Sequence, residues 1–539
     1  MATTSTPVRD VRHLGDFSVT PRMLVIVALA LPIGVASAAM AWALLHLIGL
    51  ITNGVFHHSV STRLNAPGGG HAWWLVLFAP IVGGLIVGVL ARYGSEKIRG
   101  HGMPEAIESI LLGGSKVQPR VALLKPIASA ITIGSGGPFG AEGPIIMTGG
   151  ALGSLFAQFL RLTADERKTL LVAGAAAGMA ATFNAPLSSL TLAVELLLFE
   201  WRPRSMVPVG AAIAVATVLR HHWIGPGAVF WSDAPIHLHD VDYLLCLLSG
   251  VISALLAVVA TQLVYLSEDT FQRLPIHWMW WPAIGGVVIG ISGLIVPQAL
   301  GVGYDMIGAE LRGTIGLHLV IGLLIFKTLI WSFSLGSGTS GGVLAPIFMI
   351  GGALGALEAH LFPTVGAGFW ALIALAGVLG GVMRSPLTGI VFALELTQRW
   401  SAVLPLMIAA VTAFGISSIL LKRSVLTEKI ARRGFHLTRE YDVDPLEIMF
   451  VSEVMTPSIP EVPPEDPEHD LTTHEDQILR VVAEQMAIHH ITEIPVVDRL
   501  TRTRIVGTIS LQQLLEARRR DHQEARERER VLRLPVRAP

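Results

Sequence analysis

Long apolar stretches separated by short glycine- and proline-rich breaks run from about residue 22 to 421, and a polar stretch fills 422 to 539. Four of them are "MLVIVALALPIGVASAAMAWALLHLIGLI" (23–51), "WWLVLFAPIVGGLIVGVLA" (73–91), "LLCLLSGVISALLAVVATQLV" (244–264) and "LHLVIGLLIFKTLIWSFSL" (317–335). Each has the length of a bilayer crossing, about 20 residues. Others, such as 145–160 and 403–421, are short or interrupted by Gly and Pro. The pattern predicts roughly a dozen apolar segments, several too short to be simple spans. The first stretch is too long for a cleaved leader and lacks a small-residue cleavage site, so it reads as a retained helix. The expected fold is an all-α polytopic membrane domain followed by a small soluble tail.

Composition agrees with that division. Hydrophobic residues make up 52% of the chain, charged residues 15%, and mean hydropathy is +0.60; soluble domains carry about a quarter charged residues. A net charge of −1 gives no electrostatic case for nucleic acid. Cys246 is the single cysteine, which rules out an intrachain disulfide and a cysteine-based metal cluster. No G-x-x-x-x-G-K followed by Ser or Thr occurs, which argues against an ATP-driven pump. Arg9, Arg12, Arg22, Arg161, Arg167, Lys168 and the run "KRSVLTEKIARRG" (422–434) are expected on the cytoplasmic side, with both termini. The loop 222–242 has no Lys or Arg and is expected outside the cell membrane.

Self-comparison shows an internal repeat. "KPIASAITIGSGGPFGAEGPIIMTGGALGS" begins at Lys125 and "KTLIWSFSLGSGTSGGVLAPIFMIGGALGA" at Lys327, an offset of 327 − 125 = 202. At that offset Gly134-Ser135-Gly136 match Gly336-Ser337-Gly338, Pro144-Ile145 match Pro346-Ile347, and "GGALG" recurs. A second pair, "FNAPLSSLTLAVEL" (183–196) and "MRSPLTGIVFALEL" (383–396), lies at an offset of 200. The membrane domain is therefore read as duplicated, with halves near 22–220 and 240–421. Duplication with paired, broken segments points to a transport site between the halves. An odd number of spans per repeat would invert them, and the flanks Arg202, Arg204 and Arg399 fit inversion.

The paired breaks carry the chemistry. Non-helical backbone at membrane depth is tolerated only where it is buried in protein or lines a cavity. Glycines let main-chain N–H groups converge on one point, and Pro144 and Pro346 suit the first turn of a helix. Two helix N-termini would then face a common centre that prefers an anion. "GHGMP" (100–104) has the same chemistry and offers a third helix end. For Gly149 and Gly153 close helix packing is the favoured role. Within "GAEGP" stands Glu142, an ionisable group at membrane depth and so a functional candidate by default. When charged it would occupy an anion site; when protonated it would leave. The simpler role, capping its own helix, is compatible with that gate.

These residues resemble the CLC family of chloride channels and proton-coupled chloride transporters over roughly 20–440. "GAEGP" (140–144) looks like the family's G-x-E-G-P segment, whose Glu is the external gate, and "FNAPL" (183–187) and "GSGTSGGVLAP" (336–346) look like two further signatures. The resemblance implies an antiparallel inverted repeat, a homodimer with one anion pathway per subunit, and no cofactor. It implies an anion site at Gly100, His101, Gly102, Ala141, Gly143, Val343, Leu344 and Ala345, with Glu142 and Glu195 as gating or proton groups. Several positions depart from the family pattern. His101 stands where the family has a Ser donor, Leu344 replaces an aromatic residue, and Leu426 falls at the place of the site's Tyr. An inner proton-transfer Glu immediately after Glu195 is Leu196 here, so Glu195 is the substitute. For Glu195 and its repeat mate Glu395, hydrogen bonding between helices is the alternative role. Lys125 and Lys327 either add positive potential or bind backbone carbonyls.

In the tail, "VSEVMTP" (451–457), "ILRVVAEQMAIHHITEIPVVD" (478–498) and "RIVGTISLQQLLEARR" (504–519) read as strand, helix–strand and strand–helix. "IPVVD…IVGTIS…LL" resembles a CBS motif, a regulatory module normally working in pairs; a dimer could supply the pair, with an adenine nucleotide as a weak candidate ligand. The segment 460–476 reads as a Pro/acidic loop and 518–533 as a solvated charged helix. The expected domains are a cytoplasmic segment 1–21, a membrane domain 22–434, a single CBS-like motif 435–520 and a charged tail 521–539. The expected function is transport of chloride or a similar small anion, gated by Glu142, of voltage-gated chloride channel type. The alternative is an anion/proton antiporter with Glu142 as the proton carrier. No enzyme chemistry, metal or cofactor is expected.

Overall fold

A computed structural model describes residues 19–111, 114–232, 234–433, 446, 449–457, 471–498 and 505–524. The chain divides into two compact units, one covering 19–439 and the other carried by the C-terminal residues from 440. Most of the expected N-terminal segment, most of the Pro/acidic loop and the end of the charged tail lie outside the described residues.

The first half of the larger unit comprises α1 (Arg22–Phe56), α2 (Trp73–Tyr93), α3 (Met103–Leu111), α4 (Pro119–Gly134), α5 (Glu142–Gln158), α6 (Ala164–Phe183), α7 (Pro186–Leu192) and α8 (Pro203–Trp223). A π-helical turn, Ala193–Leu198, prolongs α7. The second half repeats the series as α9 (Asp240–Gln272), α10 (Trp281–Ile295), α11 (Tyr304–Arg312), α12 (Leu317–Gly336), α13 (Leu344–Glu358), α14 (Phe369–Met383), α15 (Pro386–Thr397) and α16 (Val403–Leu420). A short α17 (Thr427–Arg432) follows. Among the described residues six segments are long and apolar enough to cross a membrane: Arg22–Phe56, Trp73–Tyr93, Asp240–Gln272, Trp278–Ile295, Leu317–Gly336 and Trp400–Leu420. The last corrects the reading of 403–421 as a short stretch, because a 3-10 turn at Trp400–Ala402 lengthens it.

Close contacts between glycines and backbone show how the repeats meet. A Cβ on Gly84 of α2 would lie 2.6 Å from the Pro282 carbonyl carbon of α10, and one on Gly286 2.5 Å from the Pro80 oxygen. Residues 84 and 80 have 286 and 282 as their repeat mates, so each helix presents the same face to its mate. Position 84 faces 282 while 80 faces 286, so α2 and α10 run antiparallel. Within each half, Gly149 and Gly153 lie against the α6 backbone, where a Cβ on either would come 2.9 Å from the carbonyl carbon of Gly174 or Leu170. These two serve packing, which small residues permit.

The broken segments have matching local causes. Helix α6 stops at Asn184 and α14 at Arg384, both in left-handed backbone with φ of 55°, and Pro186 and Pro386 restart the chain as first-turn prolines.

The tail holds a four-stranded sheet ordered β1-β4-β3-β2, from β1 (Thr456–Pro457), β2 (Thr473–His474), β3 (Glu493–Val497) and β4 (Ile505–Ser510). Strands β3 and β4 pair antiparallel, β2 and β3 parallel. Helices α18 (Val451–Val454), α19 (Leu479–His489) and α20 (Leu511–Glu524) complete the unit. Val451, Leu479, Val482, Ile494, Val496, Ile509 and Leu514 form its core. The start of 451–457 is a short helix rather than a strand: Val451 is fully buried and its N–H bonds the Gln477 carbonyl at 2.9 Å, which turns the chain before β1. Helix α20 also runs past the expected limit at 520.

Candidate functional site

Three glycine-rich segments far apart in sequence meet in one place. Gly140 and Gly342, repeat mates, exchange two backbone hydrogen bonds as an antiparallel pair, Gly342 N–H to Gly140 at 2.8 Å and Gly140 N–H to Gly342 at 3.4 Å. Gly100 donates to the Gly338 carbonyl at 3.1 Å, and Gly341 donates to the Gly100 carbonyl at 3.4 Å. Gly100 and Gly102 have φ of 73° and 84°, which a side chain disfavours. A Cβ on Gly143 would collide with the His101 carbonyl and come 3.1 Å from Gly342 Cα. Helices α3, α5 and α13 therefore begin together at Met103, Glu142 and Leu344, bringing together positive dipole ends and first-turn N–H donors, which a helix itself does not satisfy.

Glu142 occupies that centre. It is fully buried, and its Oε1 accepts the Ala345 N–H of α13. Its Oε2 is buried with no hydrogen-bond partner among the described residues. A Cβ on Gly342 would lie 2.7 Å from that oxygen, and one on Gly140 would overlap the carboxylate. The two glycines leave room for the side chain. Ala141, Val343, Leu344 and Ala345 are all buried around it. A carboxylate bound by a helix N-terminal amide is the arrangement an inorganic anion would share.

The third loop is held from below. Buried Lys125 on α4 donates to the carbonyls of Ile98 (2.8 Å) and Gly100 (2.6 Å) and to Ser340 Oγ (3.0 Å), and Ser129 Oγ lies 2.9 Å from Ser340 Oγ. His101 is buried and its Nδ1 has no hydrogen-bond partner among the described residues. Behind the loop, Glu105 of α3 pairs with Lys429 at 2.7 Å and Arg433 at 3.3 Å. A Cβ on Gly100 would lie 2.8 Å from Lys429 Nζ. This ion cluster was absent from the expected site, and local spacing offers no signal for partners 324 residues apart. Leu426, at the place of the family's Tyr, is buried at the start of α17.

Glu195 and Glu395 cap each other's helices. Glu395 accepts from the N–H groups of Leu187 (2.8 Å) and Ser188 (2.7 Å) and from Ser188 Oγ (2.8 Å) at the start of α7. Glu195 does the same for Leu387 N–H (3.2 Å), Thr388 N–H (2.8 Å) and Thr388 Oγ1 (2.6 Å) at the start of α15. Lys327 mirrors Lys125, donating to the Ala299 and Gly301 carbonyls at 2.9 Å each.

Fold and site define a class: a duplicated helical membrane protein with an anion-type centre made of helix N-termini and one carboxylate. The voltage gated chloride channel profile matches residues 83–418, and the chain belongs to that family, the CLC family. It is 31% identical over 392 residues to the H(+)/Cl(-) exchange transporter ClcA of Salmonella paratyphi B, covering 67% of this chain and 80% of that one. It is 26% identical over 370 residues to a putative chloride channel protein, ClcB-like, of Ralstonia nicotianae, covering 67% and 86%. Among solved structures, a slow cyanobacterial Cl−/H+ antiporter superimposes with a TM-score of 0.66 at 22% identity, covering 77% of this chain and 99% of that one. A CLC-type fluoride/proton antiporter gives 0.63 at 20% identity, covering 74% and 97%. The protein is a membrane-embedded anion transport protein of this family and not an enzyme.

Proposed function

We propose that the protein exchanges chloride or a similar small anion for protons, with Glu142 as both gate and proton carrier. The observation that carries this is the bond from Ala345 N–H to Glu142: a donor expected for the anion is held by a carboxylate. An ionised Glu142 excludes the anion; a protonated one gives up its claim on the amide and leaves with its proton. Gly100, His101, Gly102, Ala141, Gly143, Val343, Leu344 and Ala345 line the pathway in this reading. Exchange is favoured over conduction by the exchange-transporter relative and the two antiporter structures.

Passive conduction gated by Glu142 is the second reading, supported by the chloride-channel name of the Ralstonia relative. Both place two such pathways in a homodimer, with cytoplasmic termini and a CBS-like tail whose motifs pair across subunits and could take an adenine nucleotide. Glu195 remains the proposed inner proton group. The test is liposome flux with chloride and pH recorded together. Proton movement driven uphill by a chloride gradient supports exchange. Chloride flux without it leaves conduction, and no anion flux at all rejects both.

A further inference from the structure

Glu105 stands in the first turn of α3, the helix into which the third glycine loop leads. A negative charge there suits the helix dipole, and it opposes any anion drawn to the same helix end. The carboxylate side chain is only 4% exposed, so solvent does little to weaken that opposition. Two cations answer it from the segment at α17. Lys429 Nζ lies 2.7 Å from Oε1, and Arg433 Nη2 lies 3.3 Å from the same oxygen. Oε2 is buried with no hydrogen-bond partner among the described residues. Lys429 also abuts the loop itself, one residue before His101, since a Cβ on Gly100 would be 2.8 Å from its Nζ.

The neighbouring charges have partners of their own. Arg433 also pairs with Glu108, Arg432 pairs with Asp269 at 2.6 Å, and Arg99 pairs with Glu96 at 2.9 Å. Lys429 and Arg433 together therefore balance Glu105 and Glu108, and without Lys429 the buried carboxylate at the loop is left undercompensated. Lys429 stands one turn beyond Leu426, the apolar residue at the place of the family's Tyr.

We propose that the Glu105–Lys429 pair sets the anion affinity of the third loop: Glu105 repels an anion from the start of α3, and the Lys429 ammonium offsets that repulsion. The two residues act on affinity with opposite signs, which distinguishes this role from a bond that merely ties α17 to α3. The inference rests on the reading of the glycine loops as an anion site and holds for exchange and conduction alike.

The experiment is chloride binding to the purified full chain, measured by calorimetry at one pH for the wild type, Glu105→Gln, Lys429→Met and the double variant. Each is also measured in the Glu142→Gln chain, where the charge of Glu142 does not enter. Glu105→Gln removes the repulsion and keeps the ammonium, so chloride binds about fivefold more tightly; partial exposure of Lys429 screens any larger effect. Lys429→Met leaves the buried carboxylate with Arg433 alone, and affinity falls by a similar factor. The double variant returns close to the wild-type affinity. If both single variants weaken binding, or neither changes it, the pair is structural and the inference is overturned. Should Lys429→Met not purify as a folded protein, an unchanged or weaker affinity in Glu105→Gln overturns it alone. Should Glu105→Gln be the one that fails, an unchanged affinity in Lys429→Met does so. Absence of chloride binding in both the wild type and Glu142→Gln rejects instead the reading of the centre as an anion site.

Discussion

At Gly140 and Gly342 the absent side chains matter most, because the Glu142 carboxylate overlaps the place of a Cβ on Gly140 and lies 2.7 Å from that of one on Gly342. Gly342→Ala sets a methyl 2.7 Å from Glu142 Oε2 and against the Gly140 carbonyl carbon at 2.9 Å, so the carboxylate or the loop pair must shift. Misplacement of about 1 Å in a positioned site costs on the order of a hundredfold; we expect chloride flux to fall by about tenfold or more. Gly415→Ala on α16 is the control, since nothing lies within 4 Å of its added methyl, and it should transport like the wild type. Equal flux in the two variants would mean that the Gly140–Gly342 contact does not shape the pathway. Glu142 and these glycines were legible in the sequence because polar or helix-breaking residues in an apolar chain have few structural uses. Glu105 was not, since it sits within a short helix and its partners are set by tertiary packing.

At the scale of elements, the reciprocal caps tie α7 to the end of α15 and α15 to the end of α7. Removing Glu395 leaves two backbone N–H groups without their acceptor and Ser188 Oγ with only the Ala185 carbonyl. Hydrogen bonds to charged groups are worth about 1.5–3 kcal/mol each, so Glu395→Ala and Glu195→Ala should both lower the melting temperature in detergent. Unchanged melting in both would show that the caps contribute little. The same variants separate roles: if Glu195 also carries protons, Glu195→Gln lowers proton flux relative to chloride flux, whereas Glu395→Gln leaves the ratio alone. The repeat itself was visible as matching offsets of 202 and 200. Its antiparallel sense was expected from the basic flanks and the family resemblance rather than from span counting, which short broken helices defeat. The structure shows it for α2 and α10, where Gly84 faces Pro282 and Gly286 faces Pro80. Lys125 and Lys327 left two roles open in the sequence, and the structure shows both holding loop carbonyls.

For the whole molecule, apolar patterning and the repeat sufficed for a duplicated helical membrane domain with a polar tail, and three ordered motifs pointed to the family that the profile match shows. The tail was harder to read: Val451–Val454 is helical although its two valines favour strands. In the proposed function an anion and the Glu142 carboxylate compete for the same amides. Its most direct test is chloride binding to the purified protein, measured by calorimetry across pH for the wild type and Glu142→Gln. Ionisation of Glu142 refills the site as pH rises, so wild-type affinity should fall with rising pH. The glutamine variant should bind chloride more tightly than the wild type at high pH, with no pH trend. Equal affinity in the two proteins at every pH would contradict the account.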